Sequence, residues 1–371
     1  MEFDYIIVGA GIAGLYMAFK LEPRSSSKIL IVEQSDRIGG RLFQDSMGDS
    51  VVPLGGGIIR YPKDKNLIHL IDSLGLELNI FPSSKQPSFT PTMDFDRTVS
   101  ELYRKFRPEY ANVPFFKYLE VYFKNNQAKI QEFLNLWGFT DMLYSPTENV
   151  FKHYGIDDIL FQNQNRFAAT IKGGHWDALL NALYEKIKDR VTIKFGETVL
   201  DADSKTIYTK NNKTLESRVF RAKKLVIQTA GPRPVSYSWP FIRVYIRLKR
   251  PIELKARYLV TNNRLQQVIQ MSPTVIMVSY SDGENALYWQ DIETNKEKKR
   301  EILNLFSGGD LLESDVLEWK SKFWSDGIHY FGKKNADVNV PFNYVGEWVS
   351  KKNQGWVEGA IETVNEFFET F

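Results

Sequence analysis

Cysteine is absent from this sequence of 371 residues. Its absence excludes disulfides, thiolate metal ligands, a cysteine nucleophile and a cofactor attached through cysteine. A chain without thiols is compatible with a reducing compartment, so we expect a cytoplasmic location. The sequence also lacks an apolar run of the roughly 18 residues that would span a bilayer, and its first residues lack the basic and apolar regions of a secretory signal. We therefore expect a soluble protein with no membrane partner.

A strong charge of either sign is missing as well. The chain carries 48 lysine and arginine residues against 45 aspartate and glutamate residues, a formal net charge of +3. This balance favours neither nucleic acid nor an acidic surface as a partner. The densest basic run, Lys296 to Arg300, contains Glu297 and precedes Glu301, which indicates a solvated helix face. We expect no bound metal and no nucleic acid.

Length and hydrophobic pattern predict an α/β protein with two intertwined domains. Residues 81–91 are rich in proline and serine, which indicates a crossing between the domains. The next stretch, to about residue 160, has helical spacing and many aromatic residues. The pattern predicts strands at Phe3–Val8, Ile29–Glu33 and Phe241–Leu248, a strand-rich tract at Val191–Ile227, and helices at Ile12–Leu21, Asn66–Leu74, Trp176–Ile187 and Val357–Phe371.

The turn after the first predicted strand carries a glycine signature. Residues 9–14 read Gly-Ala-Gly-Ile-Ala-Gly and lead directly into the first predicted helix. In this context the first glycine permits a tight turn, the second lets backbone approach a pyrophosphate, and the third packs the helix against the strand. Glu33 ends the next strand 19 residues after Gly14, where a carboxylate accepts ribose hydroxyls and repels a 2′-phosphate. The alternative is an ordinary strand–helix turn with fortuitous glycines.

Further glycine-rich pieces extend this signature. Gly39-Gly40-Arg41 follows the second strand and offers a close backbone approach and a cation to a pyrophosphate. With the first motif it resembles the flavin amine oxidase family, which includes monoamine, polyamine and L-amino-acid oxidases. The segments that carry the resemblance are Gly9 to Gly14, Glu33, Gly39-Gly40-Arg41, Leu54-Gly55-Gly56-Gly57, Lys172-Gly173-Gly174, Gly346-Glu347 and Gly355-Trp356-Val357-Glu358-Gly359-Ala360.

The resemblance implies a discontinuous Rossmann-type FAD-binding domain and a second, α+β substrate domain. We expect the first at residues 1–85, 170–232 and 338–371, and the second at residues 86–169 and 233–337. The FAD is expected to be non-covalent, because Ile328 stands where monoamine oxidases carry a flavin-linked cysteine. The residues implied to bind FAD are Gly9, Gly11, Ile12, Ala13, Gly14, Glu33, Gly40, Arg41, Gly56, Gly57, Val199, Ala230, Gly346, Glu347, Trp356 and Val357.

On the substrate side, the family flanks the amine with two aromatic side chains in front of the flavin. Trp356 matches one of these walls, and His329 aligns with the other, with Tyr330 as the neighbouring alternative. A core tryptophan at Trp356 and a plain structural histidine at His329 are the competing interpretations.

Arg243 marks a departure from the family. Family oxidases place a lysine on a strand beside the flavin, where it holds a water and promotes the reaction with oxygen. Alternation along the predicted strand puts Arg243, Tyr245 and Arg247 on one face, so Arg243 stands at the lysine position. A guanidinium is planar and permanently charged and does not reproduce an ammonium. The alternative is that Arg243 faces solvent.

Arg60, followed by Tyr61 and Pro62, resembles the run in which L-amino-acid oxidases clamp the carboxylate of the substrate. A bidentate arginine–carboxylate pair would orient an amino acid over the flavin. The spacing from Leu54 is two residues longer than in those oxidases, so a surface or phosphate contact is the alternative.

The reaction implied by the resemblance is an amine oxidation. A hydride passes from the carbon that bears a neutral amine to the flavin, the imine hydrolyses, and dioxygen reoxidises the flavin. The substrate is then a small-molecule amine or amino acid. Rival hypotheses are an L-amino-acid oxidase-like enzyme, a related flavin dehydrogenase or desaturase with a non-oxygen acceptor, which Arg243 favours, and a flavin-binding module without turnover.

Overall fold

The computed structural model describes residues 3–21, 27–160, 166–229, 236–331 and 343–370. Ala230 lies outside the described residues, and so does the side chain of His329. The strands are β1 (Phe3–Val8), β2 (Ile29–Val32), β3 (Gln44–Met47), β4 (Ser50–Pro53), β5 (Ile59–Tyr61), β6 (Leu78–Pro82), β7 (Gln86–Pro87), β8 (Phe167–Ile171), β9 (Val191–Lys194), β10 (Glu197–Ala202), β11 (Thr206–Asn211), β12 (Ser217–Gln228), β13 (Ser236–Leu248), β14 (Tyr258–Val260), β15 (Gln267–Gln270), β16 (Val275–Asp282) and β17 (Val316–Phe331).

Helices connect and cover these strands. Short 3₁₀ helices occur at Pro108–Tyr110, Glu313–Asp315 and Glu347–Val349. The α-helices are α1 (Ile12–Leu21), α2 (Lys65–Ser73), α3 (Phe95–Lys105), α4 (Phe115–Tyr122), α5 (Gln127–Trp137), α6 (Thr147–His153), α7 (Ile156–Ile159), α8 (His175–Ile187), α9 (Gly283–Trp289), α10 (Lys296–Ser307) and α11 (Val357–Thr370).

The first sheet has the strand order β10-β11-β12-β1-β2-β9. Its strands β12, β1, β2 and β9 run parallel, whereas β10, β11 and β12 form an antiparallel meander. One face of β1 and β2, with Ile7 and Ile31, packs in a core with α1, α8 and α11. The opposite face, with Ile6 and Leu30, packs against Val226 of β12. Both strands are apolar throughout because both of their faces are buried. The predicted Rossmann-type strand–helix–strand unit is confirmed.

The second sheet has the order β17-β13-β16-β15-β14-β7 and is antiparallel except for the β14–β7 pair. Along β13, Ile242, Val244 and Ile246 pack with residues of α9 and α10. The other face of β13 carries Tyr245, which packs against the β3–β4 hairpin. The smaller sheet β5-β8-β6 and the helices α3 to α7 complete the chain. The predicted α/β class with a second α+β region is therefore confirmed.

Several predicted boundaries shift by one or a few residues. The second strand ends at Val32 rather than Glu33, and the helix predicted from Asn66 begins at Lys65 and ends at Ser73. The strand predicted from Phe241 begins at Ser236. Lys296 to Arg300 begin α10, as the charge pattern indicated. The division into two domains at the stated boundaries stays a prediction, although the two large sheets draw their strands from different parts of the chain.

Candidate functional site

One continuous cavity of about 1530 Å³ runs from the glycine turn after β1 to the second sheet. Ordinary small-molecule pockets occupy roughly 300–1,000 Å³, so this cavity has room for a dinucleotide and a substrate together. Gly14 and Gly346 do not line it. The predicted site residues that do line it are Gly9, Gly11, Ile12, Ala13, Glu33, Gly40, Arg41, Gly56, Gly57, Arg60, Val199, Arg243, Glu347, Trp356 and Val357.

The glycines of the first turn have separate structural reasons. Gly9 has φ +102°, a backbone conformation that disfavours a side chain. A Cβ at Gly14 would lie 2.0 Å from the carbonyl oxygen of Gly9, so α1 could not pack against β1. A Cβ at Gly11 would meet no atom within 4 Å, and Gly11 lines the cavity. Nothing in the described fold requires glycine at position 11, which leaves a ligand as the reason for it.

Glu33 is buried at the end of β2, and its carboxylate accepts three hydrogen bonds. The donors are the backbone N–H of Ala10 at 2.8 Å, the backbone N–H of Ser35 at 2.9 Å and the Ser35 hydroxyl at 2.8 Å. These bonds tie the carboxylate to the glycine turn and place it on the cavity wall. Its predicted role as a ribose partner stays a prediction.

Arg41 joins three distant segments of the chain at the cavity. It forms an ion pair with the largely buried Glu347, and its Nη1 donates to the carbonyl oxygen of Gly327 at 3.1 Å. Gly346, next to Glu347, has φ +125°, and a Cβ there would lie 2.7 Å from the carbonyl oxygen of Thr229. Close backbone packing thus explains the glycine at position 346.

Two aromatic side chains of α8 contact the backbone of the second glycine cluster, Gly55 to Gly57. The indole Nε1 of Trp176 donates to the carbonyl oxygen of Gly56 at 2.7 Å, and Nε2 of His175 lies 3.1 Å from the carbonyl oxygen of Gly57. Burial lowers the pKa of His175 to about 4, so this histidine is neutral at neutral pH. The sequence analysis missed His175, although it directly follows Gly174 in one of the family segments.

Arg243 is buried, with 6% of its surface exposed, so the solvent-facing alternative is wrong. Its Nη1 donates to the carbonyl oxygen of Pro53 at 3.0 Å, and its guanidinium carbon lies 4.4 Å from the ring centre of Tyr280. A Cβ on Gly57 would lie 2.4 Å from Arg243 Nη2. Glycine at position 57 therefore gives this guanidinium room in the cavity.

Trp356 and Arg60 form a stacked pair at the middle of the cavity. The guanidinium carbon of Arg60 lies 4.0 Å from the ring centre of Trp356. Arg60 is 5% exposed, and its Nη2 lies 2.6 Å from Asp64 Oδ1 and donates to Asn353 Oδ1 at 2.9 Å. A surface role for Arg60 is therefore wrong, and the protein itself supplies a carboxylate to this arginine. Trp356 is half-buried, lines the cavity and packs against the aromatic core formed by α3 to α7, so its place in front of a flavin stays a prediction.

The first turn of α11 is held in place by Glu358. Its carboxylate accepts from the backbone N–H of Asn66 at 3.0 Å and of Leu67 at 2.8 Å, so it stabilises the beginning of α2. Val357, the first residue of α11, lines the cavity beside Trp356. The segment from Gly355 to Ala360 thus combines a cavity wall with a contact between two helices.

Two further cationic side chains line the cavity without any signal in the local sequence, the buried Lys85 and the partly buried Arg166. Lys85 is 3% exposed and lies within the proline- and serine-rich stretch of residues 81–91. Burial lowers its pKa well below the ordinary value of a lysine. Arg166 immediately precedes β8, and burial lowers its pKa as well. The turn-like composition around Lys85 indicated only a domain crossing, because no local pattern marks a side chain that tertiary structure buries.

No group of three or more histidine, cysteine, aspartate or glutamate residues in the described part of the chain could hold a metal ion. Over the same part of the chain, no helix is long and apolar enough to cross a membrane.

Comparison with known sequences supports the glycine signature. Residues 7–74 match the family model described as an NAD(P)-binding Rossmann-like domain. A putrescine oxidase of Kocuria rosea is 36% identical over 21% of this chain, and the match spans 16% of that relative. An L-amino-acid oxidase of Mus musculus is 35% identical over 23% of this chain and 14% of the relative. An FAD-dependent oxidoreductase of Cochliobolus heterostrophus is 22% identical over 86% of this chain and 79% of the relative.

Solved structures match the fold over its whole length. A putrescine oxidase bound to putrescine superposes with a TM-score of 0.76 at 16% identity, covering 100% of this chain and 99% of that one. Cyclohexylamine oxidase from Brevibacterium oxydans superposes with a TM-score of 0.73 at 15% identity, covering 100% and 99%. The predicted resemblance to flavin amine oxidases is confirmed in the dinucleotide-binding segment and in the fold. A dinucleotide-type cofactor, flavin or nicotinamide, fits this chain.

Proposed function

We propose that this protein is an FAD-dependent oxidoreductase that oxidises a small-molecule amine, with dioxygen as the electron acceptor and a cytoplasmic location. The observation that carries the proposal is one continuous cavity that is lined both by the glycine turn and Glu33 and by Trp356 and Arg243. A dinucleotide along one part of this cavity would leave the remainder for the molecule that is oxidised.

The residues at the glycine end fit FAD. Gly11 offers the open backbone that a pyrophosphate needs, and the N-terminus of α1 adds unpaired N–H groups and a positive dipole end. Arg41 would supply a cation to the same phosphates, while Glu33 would accept the ribose hydroxyls. The remaining residues proposed to hold the cofactor are Gly9, Ile12, Ala13, Gly14, Gly40, Gly56, Gly57, Val199, Ala230, Gly346, Glu347, Trp356 and Val357.

When bound, FAD supplies the hydride acceptor for amine oxidation. The chain's own residues then bind and orient the amine and exclude water from it. Val357 would support the flavin through its backbone N–H, and Trp356 and His329 would flank the amine. No side-chain base is needed if the amine binds unprotonated, and His175 is neutral and hydrogen-bonded to backbone, so it does not supply a cationic acid at neutral pH.

The attachment of the cofactor is open to a direct test. The sequence contains no cysteine, and Ile328, at the linkage position, lines the cavity. We therefore expect a yellow protein that releases all of its FAD into the supernatant when it is denatured with acid. Flavin that sediments with the denatured protein would contradict non-covalent binding.

The redox chemistry is tested by anaerobic mixing with amines and amino acids. An enzyme bleaches its flavin on substrate addition, whereas a flavin-binding module keeps its spectrum. Subsequent mixing with oxygen separates an oxidase, which recovers its flavin colour rapidly, from a dehydrogenase, which does not. The absence of bleaching with every amine and amino acid would refute the proposed function.

Arg243 favours the dehydrogenase or desaturase as a second candidate. Its guanidinium is confined between Pro53, Gly57 and Tyr280, and the resemblance to the family aligns it with the lysine beside the flavin. Arg243→Lys should speed reoxidation by oxygen, because a compact ammonium holds a water where the planar guanidinium does not. Reduction by substrate should change less. If Arg243→Lys leaves reoxidation unchanged and Arg243→Met keeps full activity, Arg243 has no role at the flavin.

The L-amino-acid oxidase alternative depends on Arg60. Asp64 and Asn353 already engage Nη2 of this arginine, whereas its Nη1 has no hydrogen-bond partner among the described residues. A substrate carboxylate would therefore form a bidentate pair only by displacing a group of the protein. These contacts favour a positioning role, in which Arg60 holds Trp356 through the stacked contact.

A further inference from the structure

Two cationic side chains, the buried Lys85 and the partly buried Arg166, line the cavity. We propose that Lys85 and Arg166 bind an anionic group, a carboxylate or a phosphate, on the tail of the amine substrate. This inference rests on the proposed function and deepens it by naming the substrate class, an amine with an anionic tail.

The lysine has unused hydrogen-bonding capacity. Its ammonium carries three donors, and among the described residues it donates to one acceptor, the carbonyl oxygen of Trp137 at 3.1 Å. Its other close neighbours are aromatic: Nζ lies 5.1 Å from the ring centre of Phe139 and 5.9 Å from that of Tyr258. No described carboxylate forms an ion pair with Lys85. A buried ammonium without a counterion is costly, and an anionic ligand removes that cost.

Arg166 lies beside Lys85 and has a free nitrogen. The carbonyl oxygen of Arg166 accepts a hydrogen bond from the backbone N–H of Ser83 at 3.0 Å. Arg166 therefore lies opposite Ser83, and Lys85 is two residues further along that segment. Its Nη1 is closed to solvent and has no hydrogen-bond partner among the described residues. The charge of Arg166 acts with burial to lower the pKa of Lys85. Two neighbouring cations favour an anion between them.

Nearby carboxylates are engaged elsewhere. Asp158 acts electrostatically on both cations, but it forms an ion pair with Lys63 and lies 3.7 Å from Arg60 Nη1. Asp141 accepts from the hydroxyl of Tyr154 at 2.8 Å. Asp141 is the carboxylate near these cations that would instead bind a cationic tail. A diamine therefore tests this alternative.

Aromatic rings connect the cations to the proposed reaction centre. The ring of Trp356 lies 6.2 Å from Tyr154, and Tyr154 lies 6.1 Å from Phe139, the ring next to Lys85. All of these side chains line the same cavity. An aliphatic linker between the amine and the anionic group would lie along this apolar wall.

The first experiment measures binding without turnover. Flavin-loaded protein is titrated by calorimetry with hexanoate and pentylphosphonate as non-oxidisable anions, and with hexanamide as the neutral control. We expect one or both anions to bind at least tenfold more tightly than the amide. Lys85→Met and Arg166→Gln should each weaken anion binding at least tenfold, and Lys85→Arg should restore it. Lys65→Met, which removes an exposed cation from the cavity mouth, is the matched control and should change affinity less than twofold.

The second experiment measures flavin reduction by three amines of equal chain length. Hexylamine, 6-aminohexanoate and hexane-1,6-diamine are mixed anaerobically with the flavin-loaded protein. We expect half-saturation at the lowest concentration with 6-aminohexanoate, and Lys85→Met should abolish this preference by raising the half-saturating concentration of 6-aminohexanoate at least tenfold relative to that of hexylamine. Preference for the diamine, or a preference for the acid that survives in Lys85→Met, would overturn the inference.

The two experiments separate failure of the inference from failure of the proposed function. Flavin reduction by amines with no anion binding would overturn the anion site and keep the oxidase. Anion binding that depends on Lys85, without reduction by any amine, would refute the proposed function and support the site. Lys85→Met should unfold at the same temperature as the parent or higher, because methionine fills the volume of the lysine stem without a buried charge. A lower unfolding temperature together with unchanged anion binding would assign Lys85 a structural role.

Discussion

The two ends of the cavity are built in different ways. At the glycine end, backbone approaches the ligand space at Gly9 and Gly11, which lie in one turn after one strand. At the far end, Lys85 and Arg166 come from segments about 80 positions apart and meet only because β6 and β8 pair. Residues close together in the sequence form the glycine end, whereas the pair of cations at the other end forms only when the sheets have assembled.

This difference predicts how each end responds to substitution. Where a site is formed by closely packed backbone, a substitution that adds atoms destabilises the fold by steric overlap. Such a site contains no buried charge that needs a partner. Side-chain sites carry buried charges whose stability depends on their partners, because a charge left alone in a protein interior is costly. Four substitutions or conditions test this contrast.

Arg60→Met should have the largest effect on stability. It leaves Asp64, 1% exposed, without the guanidinium that neutralises it, and breaking a buried ion pair from one side costs about 3–5 kcal/mol. Lys63→Met is the control, since Lys63 is largely exposed in its pair with Asp158 and a pair of this kind contributes at most about 1 kcal/mol. Urea unfolding of both variants makes the comparison. Equal losses in the two would show that burial of Asp64 does not set the cost.

Gly14→Ala should destabilise the glycine end by about 2–3 kcal/mol, the usual cost of overpacking. Its Cβ would meet the carbonyl oxygen of Gly9 at 2.0 Å. Gly11→Ala is the matched variant, because its Cβ would meet nothing within 4 Å. We expect Gly11→Ala to unfold like the parent and to bind FAD at least tenfold more weakly. If Gly11→Ala binds FAD with full affinity, the prediction that the pyrophosphate lies against this turn is wrong.

Stability should fall as the pH falls from 6.5 towards 4. Burial lowers the pKa of His153 to about 4, so between these values the unfolded chain binds a proton that the folded chain does not. At pH 5 this difference costs of order 1–2 kcal/mol. His153→Gln should lose less stability between pH 7.5 and pH 5 than the parent in urea unfolding. The exposed His69 provides the control variant His69→Gln, and an identical pH response in all three proteins would contradict the prediction.

Trp356→Phe should have the smallest effect on stability, below about 1 kcal/mol, because a phenyl ring keeps part of the cation–π contact with Arg60. The half-saturating amine concentration in anaerobic flavin reduction should nevertheless rise, since the wall of the cavity becomes smaller. Trp348→Phe is the opposite case: Trp348 is 1% exposed and does not line the cavity. It should cost more stability and leave flavin reduction unchanged. The reverse pattern would restore the core interpretation of Trp356.

Much of the fold was predictable because its signals are local. The apolar strands, the glycine turn and Glu33 lie within the first 33 residues. Of the motif, Gly9, Gly11, Ile12, Ala13 and Glu33 line the cavity, whereas Ala10 and Gly14 do not. Alternation along β13 correctly placed Arg243 and Tyr245 on one face. These features follow from residue types and from periods of 2 and 3.6.

Other features depended on which segments meet in space. Sequence alone indicated a carboxylate clamp or a surface contact at Arg60, and the tertiary structure supplied Asp64, Asn353 and Trp356 as its partners. Lys85 stood in a turn-like stretch with no periodic pattern, and it is buried because β7 pairs with β14 and brings Tyr258 against it. The sequence by itself thus determined the fold class and the backbone of the dinucleotide site, since both follow from local backbone preferences. Only the tertiary structure decided which charges became buried and which partners they kept, because burial and pairing depend on contacts between residues far apart in the chain.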